Sequence, residues 1–141
     1  PLDGSGLAEK ILPHVLPLAK KLAMETQLLR AYSVPPEYYL VGEGLYMQPI
    51  AEQKEVIRKE AAVYLDGKVE TLQAEGFPRV IATAIDGDPA EVIIDLAQKT
   101  PHSLIAMSTH GRSGIGRWML GSVAERVIQH SKNPVLLLRP E

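Results

Sequence analysis

The fold of this chain is decided by residues 104–128, which read LIAMSTHGRSGIGRWMLGSVAERVI. The run begins with apolar residues typical of a buried strand, continues through a loop rich in Gly, Ser and Arg, and ends in a helical pattern. A helix that begins after such a loop collects free backbone N–H groups at the positive end of its dipole. The segment therefore predicts a strand, an anion-binding loop and a helix, with phosphate as the expected anion.

The rest of the chain alternates in the same way between β-prone runs and helical patterns. Apolar residues recur at three- and four-residue steps in four stretches, which predicts helices over residues 7–22, 50–72, 90–97 and 123–128. Short β-prone runs predict strands over residues 1–2, 27–32, 80–85, 103–107 and 135–138. This alternation predicts an α/β fold of one domain over residues 1–141, a doubly wound parallel sheet with helices on both faces.

Prolines and short segments modify this pattern at the amino-terminal end. Pro13 and Pro17 lie inside the first helical stretch, where each removes a hydrogen bond, so we expect a kink or a late start. Residues 34–49 are rich in Pro, Gly and Tyr and are expected to form a long, mobile connection. A strand of two residues is short for a sheet centre, so we expect further apolar residues before Pro1 in the natural protein.

Two helix starts carry capping residues. Asp88-Pro89-Ala90-Glu91 places a carboxylate at the N-cap, Pro at the first helical position and Glu at the third. Ser122-Val123-Ala124-Glu125 has the spacing of a capping box. Ser122 is therefore predicted to be either the cap of its helix or a phosphate ligand.

The composition argues against several classes of protein. A net charge of −2 provides no electrostatic attraction to a nucleic-acid backbone. No apolar run reaches the roughly 18 residues of a membrane-spanning helix. The chain has no cysteine, which rules out disulfides and thiolate zinc sites, and its four histidines lack metal-ligand spacing. We expect a cytoplasmic protein with no metal site and no nucleic-acid or membrane partner.

Three parts of the chain resemble the universal stress protein family. Residues 1–5 are similar to the family's first strand and loop, and residues 87–90 to the start of its third helix. The long loop resembles the family's motif of Gly, two residues, Gly, nine residues, then Gly with Ser or Thr. Gly111 matches the second glycine and Gly121 the third, whereas Ser108 stands in place of the first. The resemblance extends over effectively the whole chain.

The resemblance implies a five-stranded sheet of order 3-2-1-4-5 and a site for ATP, with or without Mg²⁺, or for a related adenine nucleotide. By this resemblance Asp3 and the backbone near Ala31 hold the adenine or ribose, and Met107 and Ser108 form the floor. The glycines and the hydroxyl of the loop and the first N–H groups of the helix hold the phosphates. The full expected set is Pro1, Asp3, Ala31, Met107, Ser108, Gly111, Arg112, Gly114, Gly121, Ser122 and Val123.

Each of these assignments has a simpler alternative. Glycines such as Gly114 also serve loop flexibility, and Arg112 also serves as a solvated surface charge. Gly121 is expected to permit a close approach of phosphate to the backbone, and a positive φ is a possible reason for glycine there. Asp3, beside Gly4 and Ser5, is either a turn residue or a ribose ligand.

The leading hypothesis is an ATP-binding regulatory module of the stress response. The chain has no P-loop lysine and no second acidic cluster near the loop, so we expect at most very slow ATP hydrolysis and no catalytic residue. The alternative is a nucleotide-free module of the same fold that binds a partner or dimerises, for which Ser108 is the best support. An adenine-nucleotide-processing enzyme would need a Ser-Gly-Gly-rich loop that residues 3–6 do not match.

The last strand predicts how the protein assembles. Residues 135–138 are continuously apolar, and the family topology places them at a sheet edge, where unpaired N–H and C=O groups favour pairing with another chain. We expect a two-fold homodimer in which the strands formed by Val135, Leu136, Leu137 and Leu138 meet antiparallel. The regulatory partner is unknown.

Overall fold

The computed structural model describes residues 1–34, 50–109 and 120–139. Helices and strands alternate through these ranges as the periodicity predicts. The elements are α1 (Gly6–Glu9), α2 (Leu12–Lys21), β1 (Thr26–Tyr32), α3 (Ile50–Ala74), β2 (Val80–Asp86), α4 (Pro89–Lys99), β3 (Ile105–Ser108), α5 (Ser122–His130) and β4 (Val135–Leu138). The connection expected to be mobile lies, apart from Val34, outside the described residues.

The strands form two parallel pairs. β1 pairs with β2, with Thr26 opposite Val80, and β3 pairs with β4, with Ile105 opposite Val135. In the expected order, β1 and β2 correspond to strands 2 and 3, and β3 and β4 correspond to strands 4 and 5. The two observed pairs therefore agree with the outer parts of that order, 3-2 and 4-5. The complete five-stranded order stays a prediction, because the described residues form two sheets of two strands each.

The expected first strand is corrected to a short segment with a backbone hydrogen bond to β1. Residues 1–3 are not assigned to a strand, although the Leu2 N–H donates to the Leu29 C=O at 2.7 Å. Two residues supply too few backbone groups for a ladder of the usual length. The contact nevertheless places the amino-terminal segment beside β1.

The predicted interruption of the first helical stretch is confirmed. α1 ends at Glu9 and α2 begins at Leu12, so Pro13 lies in the first turn of α2, where its missing N–H breaks no helical bond. Pro17 lies inside α2. The Asp88 cap is also confirmed, since its Oδ1 accepts from the N–H groups of Ala90 and Glu91 at 3.0 and 3.1 Å.

Two apolar clusters cover the opposite faces of β1. Leu28 packs with the cluster formed by Leu2 and the inward sides of α1, α2 and α3. Leu29, the next residue, packs with the cluster formed by α4, β3 and α5. Successive side chains of a strand point to opposite faces, so helices lie on both sides of β1, as in a doubly wound fold. No helix within the described ranges is long and apolar enough to cross a membrane.

Candidate functional site

A cavity of about 720 Å³ opens where the carboxyl ends of β1 and β3 meet the amino-terminal segment and the start of α5. Every predicted site residue that the structure describes lines this cavity. They are Pro1, Asp3, Ala31, Met107, Ser108, Gly121, Ser122 and Val123. Gly111, Arg112 and Gly114 lie outside the described residues. The structure thus brings the expected positions together, and their contacts with a nucleotide stay a prediction.

The cavity has a wall that sequence reasoning missed. Ile57, Glu60 and Ala61 of α3 line it, although α3 is far from the glycine-rich loop in sequence. The helical repeat of apolar residues includes Ile57 and Ala61, but such a repeat does not separate a cavity wall from a closed core. Glu60 carries no local signal that would have marked it.

The first turn of α5 faces the cavity with backbone N–H groups that have no acceptor within the helix. The first bond within the helix runs from the Glu125 N–H to the Gly121 C=O, at 2.9 Å. The N–H groups of Ser122, Val123 and Ala124 precede that bond and have no acceptor within the helix. All three residues line the cavity, at the positive end of the helix dipole. This turn has the donor arrangement that binds phosphate and other anions.

The structure decides against one alternative for each of two residues in this turn. Gly121 has φ −63° and ψ 145°, so it does not adopt the left-handed conformation that would require glycine, and its N–H donates to the Thr109 C=O at 2.9 Å. That N–H is already used within the protein. Ser122 is the first helical residue rather than the N-cap, because the extended cap position is occupied by Gly121, which has no side chain to cap α5.

Ser108, which replaces a motif glycine, is buried and turned toward α1. The residue is only 6% exposed, and its hydroxyl donates to the Ala8 C=O over a long distance of 3.4 Å. The next residue, Thr109, donates its N–H to the Leu138 C=O at 2.8 Å. The serine is therefore accommodated, and its hydroxyl connects the end of β3 to α1.

Asp3 shapes the turn that leads into α1. Its Oδ1 accepts from the N–H of Ser5 at 2.9 Å and from the Ser5 hydroxyl at 2.7 Å. The Ser5 Oγ in turn accepts from the Ala8 N–H at 3.2 Å and caps α1. The turn role proposed for Asp3 is confirmed, while a ribose contact stays a prediction.

Behind this turn, α1 and α3 are joined by charged groups. The hydroxyl of Tyr64 donates to Glu9 Oε1 at 2.8 Å, and Lys68 Nζ donates to Glu9 Oε2 at 2.7 Å. Partial burial raises the pKa of Glu9, but the bonds from Lys68 and Tyr64 outweigh it and hold that pKa below its ordinary value. Burial, followed by the bond to Glu9, raises the pKa of Tyr64 well above the ordinary range. The guanidinium of Arg30 lies 4.8 Å above the Tyr64 ring.

The described lining residues include both signs of charge. Arg30 is the one cationic side chain among them, and Asp3 and Glu60 carry the carboxylates. Within residues 1–34, 50–109 and 120–139, no three His, Cys, Asp or Glu side chains lie together as a metal ion would require. The positive potential at the described part of the site therefore comes from Arg30 and from the backbone donors of α5.

Residues 1–139 match the sequence profile described as "Universal stress protein family", and the chain belongs to that family. A universal stress protein of Methanocaldococcus jannaschii is 32% identical over 139 residues, covering 99% of this chain and 79% of the relative. The solved structure of the hypothetical protein MJ0577 is 30% identical, with a TM-score of 0.83, and covers 100% of this chain and 93% of its own. The fold and the family are thus established together.

Two more distant structures were solved with nucleotides. A universal stress protein in complex with cAMP is 21% identical, with a TM-score of 0.60, over 97% of this chain and 91% of that one. The universal stress protein of Archaeoglobus fulgidus in complex with dAMP is 20% identical, with a TM-score of 0.61, over 96% of this chain and 90% of that one. At these identities the likeness demonstrates the shared fold.

Proposed function

We propose that this member of the universal stress protein family binds an adenine nucleotide, ATP first among them, and acts as a regulatory module of the stress response. The observation that carries the proposal is the first turn of α5, whose three N–H groups without helical acceptors belong to residues that line the cavity. The complexes of distant relatives with cAMP and dAMP support it, since both ligands combine an adenine with a phosphate.

The two kinds of cavity wall suit the two halves of such a ligand. Ala31, Met107 and Ile93 offer apolar surface against which a purine can pack. Asp3 offers a carboxylate to ribose hydroxyl groups, and Ser122 and its neighbours offer N–H groups to phosphate. The expected contributions of Gly111, Arg112 and Gly114 lie outside the described residues, as do any contacts of Mg²⁺ with that loop.

A second candidate function is a nucleotide-free dimerisation module. Ser108 favours it, because its side chain occupies the place of a motif glycine and its hydroxyl donates to the Ala8 C=O. We propose a homodimer in either case, formed antiparallel through β4. This strand pairs with β3 on one side, and within the described residues it ends its sheet. Leu136 on this strand is 37% exposed and Ile128 on α5 is 41% exposed.

The nucleotide that co-purifies with the protein tests the proposal most directly. We expect denaturation of the purified protein to release an adenine nucleotide, which mass spectrometry identifies. We also expect titration calorimetry of the protein stripped of nucleotide to detect binding of ATP, ADP or AMP. A stripped, folded dimer that binds none of them at millimolar concentration would instead support the dimerisation module.

Turnover is measured on the same preparation. We expect bound ATP to persist for many minutes with Mg²⁺ present, far from the roughly 10 per second typical of enzymes. Fast hydrolysis by the purified protein would contradict the regulatory role, provided that it disappears in a variant that no longer binds ATP.

A further inference from the structure

α1 forms part of the cavity wall, although it is too short to hold itself in place. The helix spans only Gly6–Glu9, and helices of this length are unstable without tertiary support. Ala8 lines the cavity together with Leu2 and Asp3, which lie just before the helix. The position of this wall therefore depends on what fixes α1 to the rest of the protein.

Some of the hydrogen bonds that hold α1 come from residues next to it in sequence, and another is longer than an ordinary hydrogen bond. The Ser5 cap and the Asp3 carboxylate stabilise the turn into α1 from within the same segment. The bond from Ser108 to Ala8 comes from another element, but at 3.4 Å it is longer than an ordinary O–H···O bond. Neither contact fixes the distance between α1 and the opposite wall.

Glu9 makes the short contacts to that opposite wall. Its two carboxylate oxygens accept from Tyr64 and Lys68, and the Glu9 side chain is 27% exposed, so the ion pair is partly shielded from water. Tyr64 and Lys68 lie one and two turns along α3 from Glu60, on the same side of the helix. Because Glu60 and its neighbours line the cavity, Glu9 joins the two walls at one end of the site.

We propose that Glu9 is a positioning residue of the nucleotide site, which sets the separation of α1 from α3 and thereby holds Asp3 against the nucleoside. This inference rests on the proposed adenine-nucleotide site. Glu9 acts through Asp3 and the cavity wall, so its effect falls on the nucleoside half of any ligand. The loss of Glu9 should therefore weaken the binding of adenosine, AMP and ATP by the same factor.

Glu9→Gln tests this with calorimetric titrations of those three ligands. The amide keeps an acceptor for Tyr64 but cannot form the ion pair with Lys68. We expect all three dissociation constants to rise by the same factor, about three- to tenfold. Lys68→Met removes the ion pair from the other side and should have a similar effect. The double variant should bind no more weakly than Glu9→Gln, because both changes remove one interaction.

A matched control separates positioning from loss of stability. Asn133→Ala removes the bonds from the Asn133 amide to Ser103 and Ala97, away from the cavity lining, so it should lower stability and leave all three affinities unchanged. Hydrogen exchange of residues 2–9 without ligand should accelerate in Glu9→Gln and not in Asn133→Ala.

Each outcome decides between the two proposals. Unchanged adenosine affinity in folded Glu9→Gln and Lys68→Met overturns the positioning role and leaves the nucleotide site intact. A loss that grows with the number of phosphates also overturns it, since Glu9 would then act on the phosphate half. If the wild type binds neither adenosine nor nucleotides, the proposed function fails and the positioning role with it. Should Glu9→Gln not fold, Lys68→Met decides alone, because it leaves the Glu9–Tyr64 bond in place.

Discussion

Replacing Ser122 with proline removes a single backbone donor from the cavity with little disturbance of the fold. Ser122 is the first residue of α5, a position at which proline is favoured because its N–H has no helical acceptor. A residue before proline must be extended, and Gly121 already has φ −63° and ψ 145°. The Ser122 side chain is exposed, which leaves room for the ring. We expect an unfolding free energy that is unchanged or higher by about 0.4–1 kcal/mol.

The effect on binding follows from the charge of the phosphate. A hydrogen bond to a charged group contributes about 1.5–3 kcal/mol, so losing one N–H should raise the dissociation constant for ATP by about 10- to 150-fold. Ser122→Ala is the matched variant, since it removes the hydroxyl and keeps the N–H. Because the structure corrects Ser122 from cap to first helical residue, Ser122→Ala should cost little stability.

Titration calorimetry with ATP and adenosine distinguishes the two variants. Adenosine carries no phosphate and should bind equally well to both, which controls for damage to the nucleoside half of the cavity. If folded Ser122→Pro binds ATP within twofold of Ser122→Ala, the phosphates do not contact the first N–H of α5, and the reasoning from this helix is wrong.

Three further variants test the fold and the assembly. Gly67→Ala should raise the unfolding free energy by about 1 kcal/mol in urea titrations, because Gly67 lies inside α3 and, apart from its chain neighbours and the backbone of the helix itself, no atom lies within 4 Å of an added Cβ. An unchanged or lower value would contradict this. Leu137→Pro should shift the protein toward monomer in sedimentation at tens of micromolar. The Pro134 and Leu138 carbonyls accept from the N–H groups of Ile105 and Thr109, so the Leu137 N–H points to the free edge of the sheet, where the second copy would pair. A monomeric wild type would refute the dimer. Asp88→Asn should cost up to about 1 kcal/mol at pH 7 by losing the ion pair with Arg126. Partial burial raises the pKa of Asp88, but bonds from the Glu91 N–H and Arg126 leave it lowered, so this stabilisation is complete above about pH 4 and lost in more acidic solution. Urea titrations at pH 7 and pH 3 should therefore show a larger deficit of the variant at pH 7 than at pH 3.

The sequence by itself determined the elements of this protein. The periods of apolar residues predicted the helices and the longer strands, and Asp88 followed by Pro89 predicted the start of α4, because caps and periodicity depend on residues a few positions apart. The interruption of the first helical stretch near Pro13 was predictable for the same reason, because it depends on the local sequence. The glycine-rich loop pointed to the cavity for the same reason, since a strand, a loop and a helix in succession place the helix N-terminus at the strand's carboxyl end.

Only the tertiary structure decided which groups of the site remain available and what holds them. The Gly121 N–H is taken by Thr109, and Ser122 follows the cap instead of forming it, because the returning chain meets β3 at that point. The contact of Glu9 with Tyr64 joins residues 55 positions apart, and no local pattern encodes such a pair. Local sequence sets backbone preferences within a few residues, whereas cavity walls and hydrogen-bond partners depend on how distant segments pack together.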